Sequence, residues 1–276
     1  SGAYYSFDYE GVHFIGLNTN DTVNIDNDNA SGLGNEQYNW LVNDLKNVSD
    51  ARFVVVLMHK GIFDSGAHST NNTGEDFDIA YLRKQLAPLF SQYGVDLVLQ
   101  GHDHLYSLTY PIYSSNDKYE LDDGYMVTKK ELLDEEMDVY YNLKGTFYLN
   151  SGSASGSKYY AVQNTDNSIF HINKTEGLTS QCYTTINFVD NMIVLQTYTF
   201  DGDNRTPYYS FAISKDDYSD SNIVSEESEE SEESENNPSP IKSKNNVALI
   251  IALSISGTTI VVGGLLIFII LRKRKK

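Results

Sequence analysis

The sequence predicts an α/β fold. Short runs apolar at every position alternate with segments whose apolar residues recur at helical spacing, and Gly, Asn and Asp sit at the joins. Residues 12–18 (VHFIGLN) read as a short apolar strand. Residues 35–47 place Tyr38, Leu41 and Leu45 on one stripe of a helix. Residues 53–58 (FVVVLM) are apolar on both faces, as a strand buried between layers would be. Residues 79–93 return to helical spacing with Leu82, Leu86, Leu89 and Phe90, and Gly94 stops them. Residues 95–100 form a second buried strand, and later strands are predicted over 146–150, 184–189, 192–200 and 208–213. The pair Asp190-Asn191 reads as a two-residue hairpin turn, because Asn and Asp tolerate left-handed geometry. The polar stretch 114–142 reads as an insertion with one short helix near 129–136.

The chain has 276 residues, enough for one full-sized domain with extras. Its net charge is -18. Residues 216–241 carry ten acids and no Lys or Arg, Lys242 and Lys244 follow, and the five residues 272–276 are all basic, which leaves residues 1–215 near -15. Such a body repels phosphate backbones, so nucleic-acid binding by charge is excluded. The single cysteine, Cys182, allows no intrachain disulfide. Residues 247–271 run 25 positions without a charge, where about 20 span a bilayer. The basic tail that follows predicts a single-pass type I membrane protein: the tail cytosolic, the body extracellular or lumenal, at the plasma membrane or an endolysosomal one. Residues 216–246, with repeated Ser-Glu-Glu units, bury nothing and repel one another, and read as a disordered stalk. Six N-glycosylation sequons start at Asn20, Asn29, Asn47, Asn71, Asn173 and Asn204, in keeping with a body outside the cytosol.

Chemistry concentrates at the ends of the two most buried strands. His59 follows FVVVLM, and His102 and His104 follow VDLVLQG. In layered α/β folds ligand sites lie outside the carboxyl ends of strands, so imidazoles from both strands aim at one place. In extended chain, the His-x-His pair would put two Cα atoms about 6–7 Å apart on one side. That spacing suits two ions about 3.5–4 Å apart, one histidine to each, better than it suits one ion. Gly101 is expected to let the backbone turn there.

These stretches are similar to a known family. YYSFDYEGVHFIGLNT, EQYNWLVNDLKN, VVVLMHKGIFDSGAH, LRKQLAPLFSQYGVDLVLQGHDHLYS and GTFYLNSGSASGSKYY resemble the second half of a metallophosphoesterase domain of the purple-acid-phosphatase type. Val-x-x-His at 56–59 and Gly-His-x-His at 101–104 match the last two of its five signature blocks. The resemblance implies half of a four-layer αββα sandwich over residues 1–215. It implies that His59 and His102 hold a divalent ion and His104 the other, in a pair of Fe with Zn, Mn or Fe. It implies that His68 contacts the phosphate and protonates the leaving group.

The implied reaction is hydrolysis of phosphate monoesters, on a small molecule or a protein, by a hydroxide bound to the metal pair. The family's first three blocks, which supply Asp, bridging Asp and Asn-His ligands, are expected before residue 1, so this stretch alone is expected to be inactive. Two rivals stay open: a phosphodiesterase or nucleotidase on the same scaffold, which p-nitrophenyl phosphate against its bis ester separates, and a catalytically dead cell-surface binding protein.

Overall fold

The structure, a computed structural model, describes residues 3–23, 31–70, 77–115, 118–163, 169–173, 180–218, 247–251 and 267–269. In chain order the elements are β1 (Tyr5–Tyr9), β2 (Val12–Gly16), β3 (Thr22–Val23), β4 (Ser31–Leu33), α1 (Asn35–Asn47), β5 (Phe53–Lys60), α2 (Ala67–Thr70), α3 (Phe77–Gln92) and β6 (Leu97–Gly101). There follow β7 (Tyr106–Thr109), β8 (Ile112–Ser115), β9 (Lys118–Leu121), β10 (Met126–Leu132), β11 (Glu135–Tyr141), β12 (Phe147–Ser151) and β13 (Phe170–Asn173). The last are β14 (Gln181–Val189), β15 (Met192–Asp201), β16 (Asn204–Ser214), β17 (Val247–Ile251) and β18 (Ile267–Ile269).

Two seven-stranded sheets face each other, in the orders β1-β2-β5-β6-β12-β7-β13 and β10-β11-β16-β15-β14-β17-β18. In the first sheet β2, β5, β6 and β12 run parallel. The reason is visible along β5: Phe53, Val55 and Leu57 pack into the core between the sheets, while Val54, Val56 and Met58 pack under the helices. A strand apolar at every position has two faces to bury, and the α1 and α3 layer covers the second one. Leu41 and Leu45 of α1 and Leu82, Leu86 and Phe90 of α3 fill that layer. Helices, sheet and sheet therefore make three layers of the expected four-layer sandwich among the described residues. The outer face of the second sheet carries its own apolar cluster around Met137, Tyr141 and Val194.

Helix α3 ends as expected at Gly94, whose φ is 65°. The Val95 N–H reaches back to the Phe90 carbonyl at 3.0 Å, closing the last turn. The Asp190-Asn191 hairpin also forms, with Val189 opposite Met192 and Asp190 at φ 52°. The short helix expected near 129–136 does not. β10 and β11 pair antiparallel there, with Leu132 opposite Glu135 across Leu133 and Asp134 at φ 53° and 64°. Both turn residues are left-handed, the geometry that matches strand twist, and β11 is held further by parallel pairing with β16. Local helix propensity loses to a tertiary partner.

Of the apolar span 247–271, the described residues form β17, antiparallel to β14, and β18 beside it. A Val/Ile-rich run next to an open sheet edge finds its backbone partners there. No helix among the described residues is long and apolar enough to cross a membrane. The stalk from 219 to 246 and the basic tail lie outside the described residues. Asn20, Asn47 and Asn204 are exposed and Asn173 ends β13, whereas Asn29 and Asn71 lie outside the described residues.

Candidate metal centre

The carboxyl ends of β5 and β6 lie side by side because the strands pair in parallel, Leu57 opposite Leu99. Their register shifts between Leu57 and Lys60, an irregularity of the kind that re-aims a side chain near a site. His59 sits in that stretch, and His102 follows β6 directly. The His59 Nε2 and His102 Nδ1 atoms are 3.2 Å apart, with the rings edge-on at 85°. This is the separation of two imidazole nitrogens that each reach one tetrahedral ion at about 2.0–2.1 Å.

His68 joins them from α2: its ring lies 4.4 Å from that of His102 and 5.5 Å from that of Tyr160. His104 takes another direction and stacks on Tyr160 at 5.1 Å and 22°. Its Nδ1 is buried without a hydrogen-bond partner among the described residues. A buried nitrogen left so is costly unless something binds it, which fits a ligand position. No group of three or more His, Cys, Asp or Glu side chains converges closely enough to hold an ion among the described residues. The donors present thus fit part of a metal centre, a pair at His59 and His102 and a single nitrogen at His104.

The backbone reaches this arrangement differently from the sequence-based expectation. Positive φ falls on His102, at 80°, and not on Gly101. The segment is consequently a turn, and the extended His-x-His geometry does not apply. A non-glycine residue held there is strained, and such strain collects at functional sites.

Burial decides the electrostatics. It lowers the His59 pKa to about 4, and the His102, Lys60 and His104 charges add to the effect. Burial also lowers His104, with the Lys158 charge next. Both imidazoles are therefore neutral at neutral pH, the form that ligates metal.

Beneath the histidines lies a polar layer that the sequence did not reveal. Asp64 accepts from the Ser107 hydroxyl at 2.6 Å and the Ser65 N–H at 2.7 Å, and Asn150 donates to it as well. Asn150 Nδ2 also donates to the Asp103 carbonyl at 2.6 Å. Burial raises the pKa of both Asp64 and Asp103, the Asp103 charge raising Asp64 further, while the His68 backbone N–H pulls Asp103 down. Above the histidines a cavity of about 230 Å³ opens between Leu57, His59, His102, His104 and the Ser151 to Ser155 loop that follows β12.

Comparison with known proteins gives the following. Residues 2–106 match the family pattern of the calcineurin-like phosphoesterases. An uncharacterized protein of Mycobacterium tuberculosis is 31% identical over 163 residues, 57% of this chain and 28% of that protein. Purple acid phosphatase 23 of Arabidopsis thaliana is 36% identical over 116 residues, 41% of this chain and 22% of that one. The structure of purple acid phosphatase PPD1 from yellow lupin (Lupinus luteus) seeds superposes with a TM-score of 0.53 at 21% identity, over 78% of this chain and 33% of that one. The chain thus spans less than a third of the length of these two sequence relatives.

Proposed function

Since this chain is a purple-acid-phosphatase-like metallophosphoesterase, we propose that the protein hydrolyses phosphate monoesters at the cluster of His59, His68, His102 and His104. The observation that carries the reading is the 3.2 Å approach of His59 and His102 at the ends of adjacent parallel strands, with His68 against His102. His59 and His102 would hold one cation and His104 a second, as the resemblance implies, with Fe beside Zn, Mn or Fe. Such a pair, when bound, lowers the pKa of a water and offsets charge on the phosphoryl group.

The chain's own residues do the rest. His68 gives a ring-nitrogen proton to the departing alkoxide as a general acid. Lys158, whose Nζ lies 3.3 Å from the Tyr160 hydroxyl and whose charge acts on His104, puts a cation beside the histidines of a net acidic body and favours an anionic substrate. Leu57 and Met58 give the cavity an apolar side next to the strand ends.

The test is His68→Ala in the full-length, metal-loaded protein. Turnover of an alkyl phosphate is expected to fall about 10²-fold or more, the usual contribution of a general acid, with bound metal unchanged. Loss of metal together with activity overturns the role given to His68.

We also propose that residues 247–271 anchor the body to a membrane outside the cytosol, the bilayer span replacing the sheet pairing of β17 and β18. The support is the uncharged 25-residue run, the five basic residues behind it and the six sequons. Protease added outside intact cells, or to vesicles with the lumenal side opened, is expected to digest the body, and glycosidase treatment to shift its gel mobility. A body protected in intact cells and digested only from the cytosolic side removes the topology.

A further inference from the structure

We propose that Asp103 is a positioning residue: its carboxylate ties the turn carrying His68 to the loop carrying His102 and His104. The inference rests on the role given to His68 above.

Helix α2 is four residues long, far too short to hold itself together. Its N–H groups need an outside partner. Asp103 supplies one. Its Oδ1 accepts from the His68 N–H and its Oδ2 from the Ser69 N–H, both at 3.3 Å. The side chain is only 1% exposed, and a buried carboxylate persists only where its acceptor sites are used.

The fit is close from the other side too. A Cβ added to Gly66, at the entry to α2, would fall 2.1 Å from the Asp103 Cγ. The glycine is required because the turn packs directly on the carboxylate. The rest of the turn is fastened by Ser69 donating to the Gly61 carbonyl and by Arg83 donating to the Ser69 carbonyl at 2.6 Å.

Asp103 is itself fixed. Asn150, from β12, donates to its carbonyl, and the left-handed backbone of His102 precedes it. With the Asp103 side chain buried toward α2, His102 turns to His59 and His68, and His104 turns to Tyr160. One carboxylate therefore sets the His68 ring against the His102 ring. A residue that merely filled space would not use both oxygens on two successive amides of this turn.

The experiment uses the full-length, metal-loaded protein with two substrates, p-nitrophenyl phosphate, whose leaving group departs without a proton, and glycerophosphate, whose alkoxide needs one. Asp103→Asn keeps the size and removes one acceptor. On glycerophosphate its kcat is expected to fall about 10- to 100-fold, as second-layer changes do, while the loss on p-nitrophenyl phosphate is several-fold smaller and metal per chain is unchanged. In a His68→Ala background the same substitution is expected to cost nothing more on glycerophosphate. Equal losses on both substrates, or the same loss without His68, overturn the proposal.

Amide hydrogen exchange gives a readout independent of turnover. The His68 and Ser69 amides are expected to exchange at least tenfold faster in Asp103→Asn, with β5 and β6 unchanged. Unchanged exchange there also overturns it. If His68→Ala itself shows no leaving-group bias, the role of His68 fails, while the exchange data still decide the anchor. Should Asp103→Asn not fold, Asp103→Glu, which keeps the charge but displaces it, is read by the same measurements.

Discussion

Replacing His102 with Ala in the full-length protein is expected to remove bound metal and lower kcat/KM by about 10³-fold or more, because cation stabilisation of the transition state is worth several kcal/mol and each 1.36 kcal/mol is tenfold. His102 touches two of the other three histidines of the cluster. Its Nδ1 is 3.2 Å from His59 and its ring 4.4 Å from that of His68. Its φ of 80° makes a second variant informative. His102→Gly removes the imidazole and also releases a left-handed backbone that costs a side-chain-bearing residue about 1–2 kcal/mol. The glycine variant is therefore expected to be as inactive as the alanine one, yet more stable than it by up to about that amount. Metal analysis, kcat/KM and thermal unfolding of the three proteins check this. Wild-type metal and turnover in His102→Ala would show that the site lies elsewhere.

How legible all this was depends on what each segment buries. Residues 53–58 and 95–100 could be read because both faces are covered, so the residue types alone reveal the strand. Helices α1 and α3 were legible because one stripe faces the first sheet. The β10 and β11 hairpin was not. In β10 exposed and half-buried positions give little apolar alternation, and Lys129, Lys130 and Glu131 suit a helix as well as a strand. Only the pairing with β11 and the support of β16 decide it.

The histidines were placed at one site because strand ends mark sites in layered folds, yet their arrangement followed a different rule. The extended His-x-His pair gave way to a turn, because Asp103 buries its side chain toward α2 and separates the neighbours on either side. In a sequence, a residue between two ligands reads as a spacer. Its burial and its two amide partners become visible only in three dimensions, as do Asp64, from the loop after β5, and Asn150, from β12.

The largest loss of stability is expected from Phe147→Ala. Phe147 stands on β12, fully buried in the core between the sheets. Its ring meets Tyr140 of β11 edge-on at 5.0 Å and Phe211 of β16 at 5.3 Å. It therefore joins the sheet that carries the histidines to the sheet that backs it. Phe to Ala at such a position costs about 3–5 kcal/mol, the transfer of the ring plus the cavity it leaves. Set against a total of about 5–15 kcal/mol for a domain, that is a large share. Phe147→Leu, which keeps most of the apolar volume, is expected to lose about half as much or less, by the same account. In urea, the midpoint of the alanine variant should fall at unchanged slope, because the same surface is exposed on unfolding. Below its unfolding range it should keep its metal, since His59 stands on β5 and His102 directly follows β6. A loss below about 1 kcal/mol would mean that the sheets do not pack through Phe147, and that the aromatic contacts of Tyr140 and Phe211 do not depend on it.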